Sequence, residues 1–113
     1  MKRVFVQSSN FSKMISDIAK KELEIELEVE RSILAELERP YSERDVIEGT
    51  GGFSKIRVKK EGKGKSGSYR VIYLDVPKNG IVYLVLIYDK TIKDNINQET
   101  KNVLLKMSKE LKK

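Results

Sequence analysis

The 113-residue chain contains no cysteine and no histidine. Without cysteine, disulfides, Cys-ligated zinc, iron–sulfur clusters and thiol nucleophiles are excluded. Without histidine, the commonest general base, the Ser-His-Asp triads and most transition-metal sites are lost as well. No apolar run approaches the roughly 18 residues of a spanning helix, and the N-terminus has no signal-peptide core. A cytoplasmic protein with no membrane partner is therefore expected. The carboxylates do not cluster at metal-ligand spacing, so neither a metal nor a cofactor is expected. Chemistry is left to Lys, Arg, Tyr and the carboxylates.

Apolar residues make up 39% of the chain and charged residues 35%. That is enough hydrophobic material for one core under a very wet surface, and the length fits a single domain over 1–113. Lys and Arg number 23 against 17 Asp and Glu, a net charge of +6. The charge is unevenly spread. Residues 1–48 carry 8 basic and 11 acidic side chains, net −3, whereas 49–113 carry 15 and 6, net +9. Between 55 and 70 lie Lys55, Arg57, Lys59, Lys60, Lys63, Lys65 and Arg70, with Glu61 as the lone acid. Such clustering costs self-repulsion and marks either a surface that meets a polyanion or a loop kept basic for solubility.

Periodicity gives the order β, α, α, β, β, β, α. Arg3–Gln7 is short and β-branched and reads as an edge strand. Ser8-Ser9-Asn10 offers N-cap chemistry to a helix carrying Phe11, Met14, Ile15 and Ile18. Residues 23–30 alternate Leu-Glu-Ile-Glu-Leu-Glu-Val-Glu, a strand period. The same region sets Leu23, Leu27, Leu34 and Leu37 on one helical stripe, is rich in helix formers and closes at Arg39-Pro40, so it is assigned to helix. Phe53–Lys59 alternates, with Ile56 and Val58 on one side and Lys55, Arg57 and Lys59 on the other. Tyr69–Val76 is a strand, Pro77-Lys78-Asn79-Gly80 a hairpin connection, and Ile81–Tyr88 a central strand apolar on both faces. Asn95–Asn97 caps a last helix bearing Val103, Leu104, Met107 and Leu111. The expected fold is α+β: a small antiparallel sheet containing a meander, with an N-terminal helix pair and a C-terminal helix.

Two glycine-rich segments, Gly49-Thr50-Gly51-Gly52 and Gly62–Gly67, are flanked by strands. Neither matches a nucleotide-binding P-loop, which must open a helix. They read as connections where backbone or a polyanion approaches closely. Lys55 and Arg57 share a strand face; Arg70 alternates with Ile72, Leu74 and Val76, so parity alone does not join it to that pair. Together with Lys90 and Lys93 these residues can form a cationic cradle for a phosphodiester. Tyr69, beside the basic loop, and Tyr88, before Lys90, are the candidate base-stacking residues.

In this arrangement the segment from Gly49-Thr50-Gly51-Gly52 through Lys55-Ile56-Arg57, Gly62-Lys63-Gly64-Lys65-Ser66-Gly67 and Tyr69-Arg70 resembles the HigB-type branch of the RelE/ParE toxin superfamily. The resemblance extends from Lys2 to the final helix and is strongest over 47–95. It implies a RelE-like fold and a toxin of a type II toxin–antitoxin pair, an mRNA interferase that enters the ribosomal A site and cleaves message there. By position, Lys55 and Arg57 match the family's basic pair, Arg70 the arginine after the turn, and Lys90 or Lys93 the basic residues after the last strand. Catalysis is thus expected from Lys55, Arg57, Arg70 and Lys90, and RNA binding from Lys59, Lys63, Lys65, Tyr69, Tyr88 and Lys93. The RelE branch carries a tyrosine near the start of the final helix; here that stretch reads Asn95-Ile96-Asn97-Gln98. The implied partners are a helix-turn-helix antitoxin, the ribosome and mRNA, with operator DNA reached only through the antitoxin. A gyrase poison of the ParE kind, or a non-toxic RNA- or DNA-binding module, are the alternative readings.

Overall fold

The computed structural model describes residues 2–60, 67–90 and 96–113. Its elements run β1 (Val4–Gln7), α1 (Ser9–Ala19), α2 (Ile25–Leu37), β2 (Ser54–Lys59), β3 (Ser68–Val76), β4 (Ile81–Asp89) and α3 (Gln98–Leu111). Single 3-10 turns occupy Tyr41–Glu43 and Pro77–Asn79. The four strands form one sheet in the order β1-β4-β3-β2. The α+β class and the β2-β3-β4 meander match the expectation from sequence. β1 is an edge strand as expected, but it pairs with β4 in parallel, so the sheet is mixed rather than wholly antiparallel.

Ser8 explains that junction. Its backbone N–H donates to the Leu84 carbonyl at 2.9 Å, its hydroxyl donates to the Val85 carbonyl, and the same Oγ accepts from Phe11 N–H. One residue therefore ends β1, fixes its register on β4 and caps α1.

The sheet is covered on both faces. α1 and α2 lie on one, where Phe11, Ile15, Ile25, Val29 and Ile33 pack on Val58, Val71, Tyr73, Leu84 and Ile87. α3 lies on the other, with Leu104, Met107 and Leu111 against Phe53, Ile72, Leu74 and Val85. Two sequence readings are corrected here. The buried stripe of α2 is Ile25, Val29 and Ile33, while Leu23, Leu27 and Leu34 are 86%, 51% and 41% exposed. The alternating segment offers apolar residues to more than one side of a helix, and the stiffer β-branched ones took the core. In α3, Val103 faces solvent, and Ser108 takes the buried place.

That serine accounts for the glycine turn before β2. Ser108 Oγ and Lys112 Nζ both donate to the Gly51 carbonyl at 2.6 Å, locking the end of α3 to the start of β2. Gly51 has φ +75, and a Cβ there would sit 2.7 Å from Ser108 Oγ. Gly49 also has positive φ but has nothing within 4 Å of its missing Cβ. Gly51→Ala is therefore expected to lower stability by about 1–3 kcal/mol more than Gly49→Ala, through overpacking. Thermal melts of the two variants make the comparison; equal losses would reduce the effect to backbone strain alone.

A charged cluster closes the opposite edge of the α2 face. Arg3 Nε donates to Asp75 at 2.7 Å, Arg44 approaches the same carboxylate at 3.7 Å, and the Arg3 and Asp75 side chains are each 5% exposed. The hydrogen bond to Asp75 raises the Arg3 pKa further. Nearby, the Tyr73 hydroxyl is buried without a hydrogen-bond partner. Burial, with Glu36 adding, raises its pKa from 10.0 to about 12. A raised acid is held neutral by the fold, so its contribution is complete below pH 10 and is lost as pH climbs from 10 through 12. Tyr73→Phe should flatten that part of the pH–stability curve. At neutral pH it should change the melting temperature little, because the hydroxyl has no partner beyond an approach to Ser54 across the ladder.

Candidate nucleic-acid interface

Strand register builds a cationic row. In β2, Ile56 and Val58 turn toward α1 and α2, which leaves Lys55, Arg57 and Lys59 on the α3 side of the sheet. β3 alternates likewise, with Val71 and Tyr73 toward the helix pair and Ile72 and Leu74 toward α3. Arg70 therefore shares the face of Lys55 and Arg57, the point that parity within β3 left open. Arg57 stands directly opposite Arg70, and Arg70 directly opposite Tyr88. With strands about 4.8 Å apart, these three residues span about 10 Å across the sheet.

The rows on either side complete the surface. Lys55 pairs with Ile72 and Lys59 with Ser68. Lys90 N–H donates to the Ser68 carbonyl, which brings Lys90 into the row of Lys59. Arg57 and Lys59 are exposed; Lys55, Arg70, Tyr88 and Lys90 are half-buried. The face thus grades from an apolar floor under α3, through Ile72 and Leu86, to a cationic end beyond the helix. Such a surface attracts an anion and offers Tyr88 as a flat neighbour for a base.

Tyr69 stands elsewhere. It faces the α1–α2 side, where its hydroxyl donates to Glu22 and Lys60 Nζ lies 5.2 Å from its ring centre. Burial first, then Glu22, pushes its pKa up. Lys60 also pairs with Asp89, so the two strand ends beside Tyr69 are clipped together behind the cationic row. Lys63, Lys65 and Lys93 lie outside the described residues.

Sequence reading missed the clip of Lys60, Asp89, Tyr69 and Glu22. The available signal was Asp89, the single acid in the run from Ile81, set next to a strand end. It also missed Asp75, the single acid within Tyr69–Val76, whose burial demanded a cation. Among the described residues no helix is long and apolar enough to cross a membrane. No group of three or more potential metal ligands gathers among them either.

The mixed sheet between a helix pair and a C-terminal helix, with a cationic row at one end of the α3 face, is the setting for the comparison with known families. A family model described as the RelE toxin of the RelE/RelB toxin–antitoxin system matches residues 2–113, and the chain belongs to that family of toxins, each paired with a cognate antitoxin.

Proposed function

We propose that the chain is a ribosome-dependent, metal-independent endoribonuclease, an mRNA interferase of the HigB-type branch that cuts message in the A site and halts translation in the cytoplasm. The observation that carries this reading is the cross-strand pair of Arg57 and Arg70. Like charges directly opposite one another on a ladder cost stability. A phosphodiester seated between them accepts charge-assisted hydrogen bonds from two planar forks.

In this reading the ribose 2′-OH gives its proton to water and attacks the adjacent phosphorus in line, and the bond to the 5′-oxygen breaks. Holding the backbone in that geometry supplies much of the acceleration. Arg57 and Arg70 stabilise the charge that develops on the phosphorane-like transition state. Lys55 or Lys90 gives a proton to the leaving 5′-oxygen. Tyr88 stacks on a neighbouring base, and Lys59, Lys63, Lys65 and Lys93 hold flanking phosphates. Tyr69 stands on the other face with its hydroxyl engaged by Glu22, so this reading gives the stacking role to Tyr88 first. A helix-turn-helix antitoxin would bring the toxin to operator DNA.

The test is to add the purified chain to programmed ribosomes and map transcript 5′ ends. Cuts confined to ribosome-bound message are expected. Cleavage of naked RNA at a matching rate would overturn the ribosome dependence. Intact message together with inhibited DNA supercoiling would favour a gyrase poison.

A further inference from the structure

Away from the cationic row, a cleft of about 390 Å³ opens beneath the 3-10 turn Tyr41–Glu43. Its walls include Tyr41, Arg44, Ser54, Tyr73, Lys78 and Lys112. Ser54 and Tyr73 face one another across β2 and β3 on the α2 side, three residues along β2 from Arg57 and on the opposite face of the sheet. This is a separate site.

Three observations give the cleft a chemical preference. First, its charge is positive. Asp75, the acid in the wall, is already engaged by Arg3 and Arg44. Lys78 and Lys112 are left with no carboxylate partner among the described residues. Second, a buried donor of the wall, Arg44 Nε, has no hydrogen-bond partner. Buried donors are seldom left unpaired, and an unpaired one is evidence of a missing acceptor. Third, Arg44 stacks 5.3 Å from the centre of the Tyr41 ring, and Tyr41 itself is 60% exposed, so the mouth has an aromatic rim.

We propose that this cleft receives one acidic side chain of the antitoxin, a Glu or Asp carboxylate seated among Arg44, Lys78 and Lys112. The partner follows from the family, whose toxins act in pairs with antitoxins. A carboxylate fits better than a nucleic-acid strand. The volume lies at the small end of ligand clefts and takes an acidic side chain together with part of the segment that carries it. A carboxylate can accept from Arg44 Nε, the nitrogen of that guanidinium left over after Leu37 and Asp75 take the other two, and place its second oxygen toward a lysine. The proposal does not depend on RNA cleavage: the anchor binds at the Ser54 and Asp75 end of the sheet, away from the Arg57 and Arg70 end that carries the row, so the antitoxin grips the toxin independently of the RNA surface.

The experiment has two arms. In the first, the full chain is titrated with its cognate antitoxin by calorimetry, as wild type, as Lys78→Glu and as Lys109→Glu. Lys109 is an exposed cation of α3 outside the cleft and matches the change in net charge. Lys78→Glu is expected to weaken the complex at least tenfold, with Lys109→Glu within about twofold of wild type. Equal losses in the two variants, or none in either, would overturn the proposal. In the second arm, backbone amide spectra of the toxin are followed on adding N-acetylglutamate amide, N-acetylglutamine amide or uridine 5′-monophosphate. Saturable shifts around Tyr41, Ser54 and Lys78 are expected with the glutamate compound and much weaker ones with glutamine. Equal response to both amides would remove the anion preference. Tighter binding of the nucleotide at these residues would make the cleft an RNA subsite instead.

Discussion

Arg70→Ala is expected to abolish growth arrest and to lower the cleavage rate about 10²–10³-fold, the usual loss for one preorganised donor to developing charge. Arg70 sits between Arg57 and Tyr88 on the central part of the row, so its fork can reach a phosphate held by Arg57. Lysine is a poor replacement, because a compact ammonium cannot donate two parallel hydrogen bonds in one plane. Arg70→Lys should therefore recover only a small part of the lost rate. The structural account of Arg70 is that it pairs with a carboxylate such as Asp75 or Glu61 and holds the sheet together. Asp75 is on the other face and is bonded to Arg3, so it is not that partner, and Glu61 lies outside the described residues. The catalytic role requires Arg70→Ala to melt within a few degrees of wild type; a large drop would mark Arg70 as a structural residue. Melting temperature and transcript mapping on one preparation decide the matter: a well-folded variant that still cuts message would refute the catalytic role.

The parts of this site legible in the sequence were those fixed by local alternation. Ile56 and Val58 against Lys55, Arg57 and Lys59 are enough to place three cations together, whatever lies across the ladder. Arg70 was not legible, because β3 is apolar on both faces: Val71 and Tyr73 pack toward α1 and α2, and Ile72 and Leu74 toward α3. Only pairing with β2 decides which side Arg70 takes. The same limit applied to β1, whose parallel pairing with β4 depends on contacts 77 residues apart between Ser8 and Val85. It applied again to α2, where a period-two run of Leu, Ile and Val supplied apolar residues to both the packed and the open side. The Gly49–Gly52 turn was recognisable as a place of close approach, but the group that approaches, Ser108 of α3, is 57 residues away. Residue type announces that a close contact is needed; tertiary structure names the partner.

Asp75→Asn is expected to cost about 3–5 kcal/mol, because it leaves the buried Arg3 without its counter-charge while keeping the shape of the side chain. The geometry supports a loss at the large end of single substitutions. Arg3 Nε and its terminal nitrogen donate to both oxygens of Asp75, at 2.7 and 3.3 Å, and Arg44 adds a longer contact. The pair also joins distant parts of the chain, since Arg3 leads into β1 at one edge of the sheet and Asp75 lies near the end of β3. A domain of this size has total stability of about 5–15 kcal/mol, so the variant should be partly unfolded at growth temperature. Arg3→Met combined with Asp75→Leu should be less damaging than Asp75→Asn, because apolar groups replace the closest pair and only Arg44, whose contact with Asp75 is longer, loses a counter-charge. Denaturant unfolding of the three proteins makes the comparison, and a loss under about 1 kcal/mol for Asp75→Asn would show the pair to be a solvated contact. The functional consequence separates this residue from Arg70. Both variants should lose toxicity in cells, but the folded fraction of Asp75→Asn should cut message at the wild-type rate, because the row of Arg57, Arg70 and Tyr88 lies on the opposite face of the sheet.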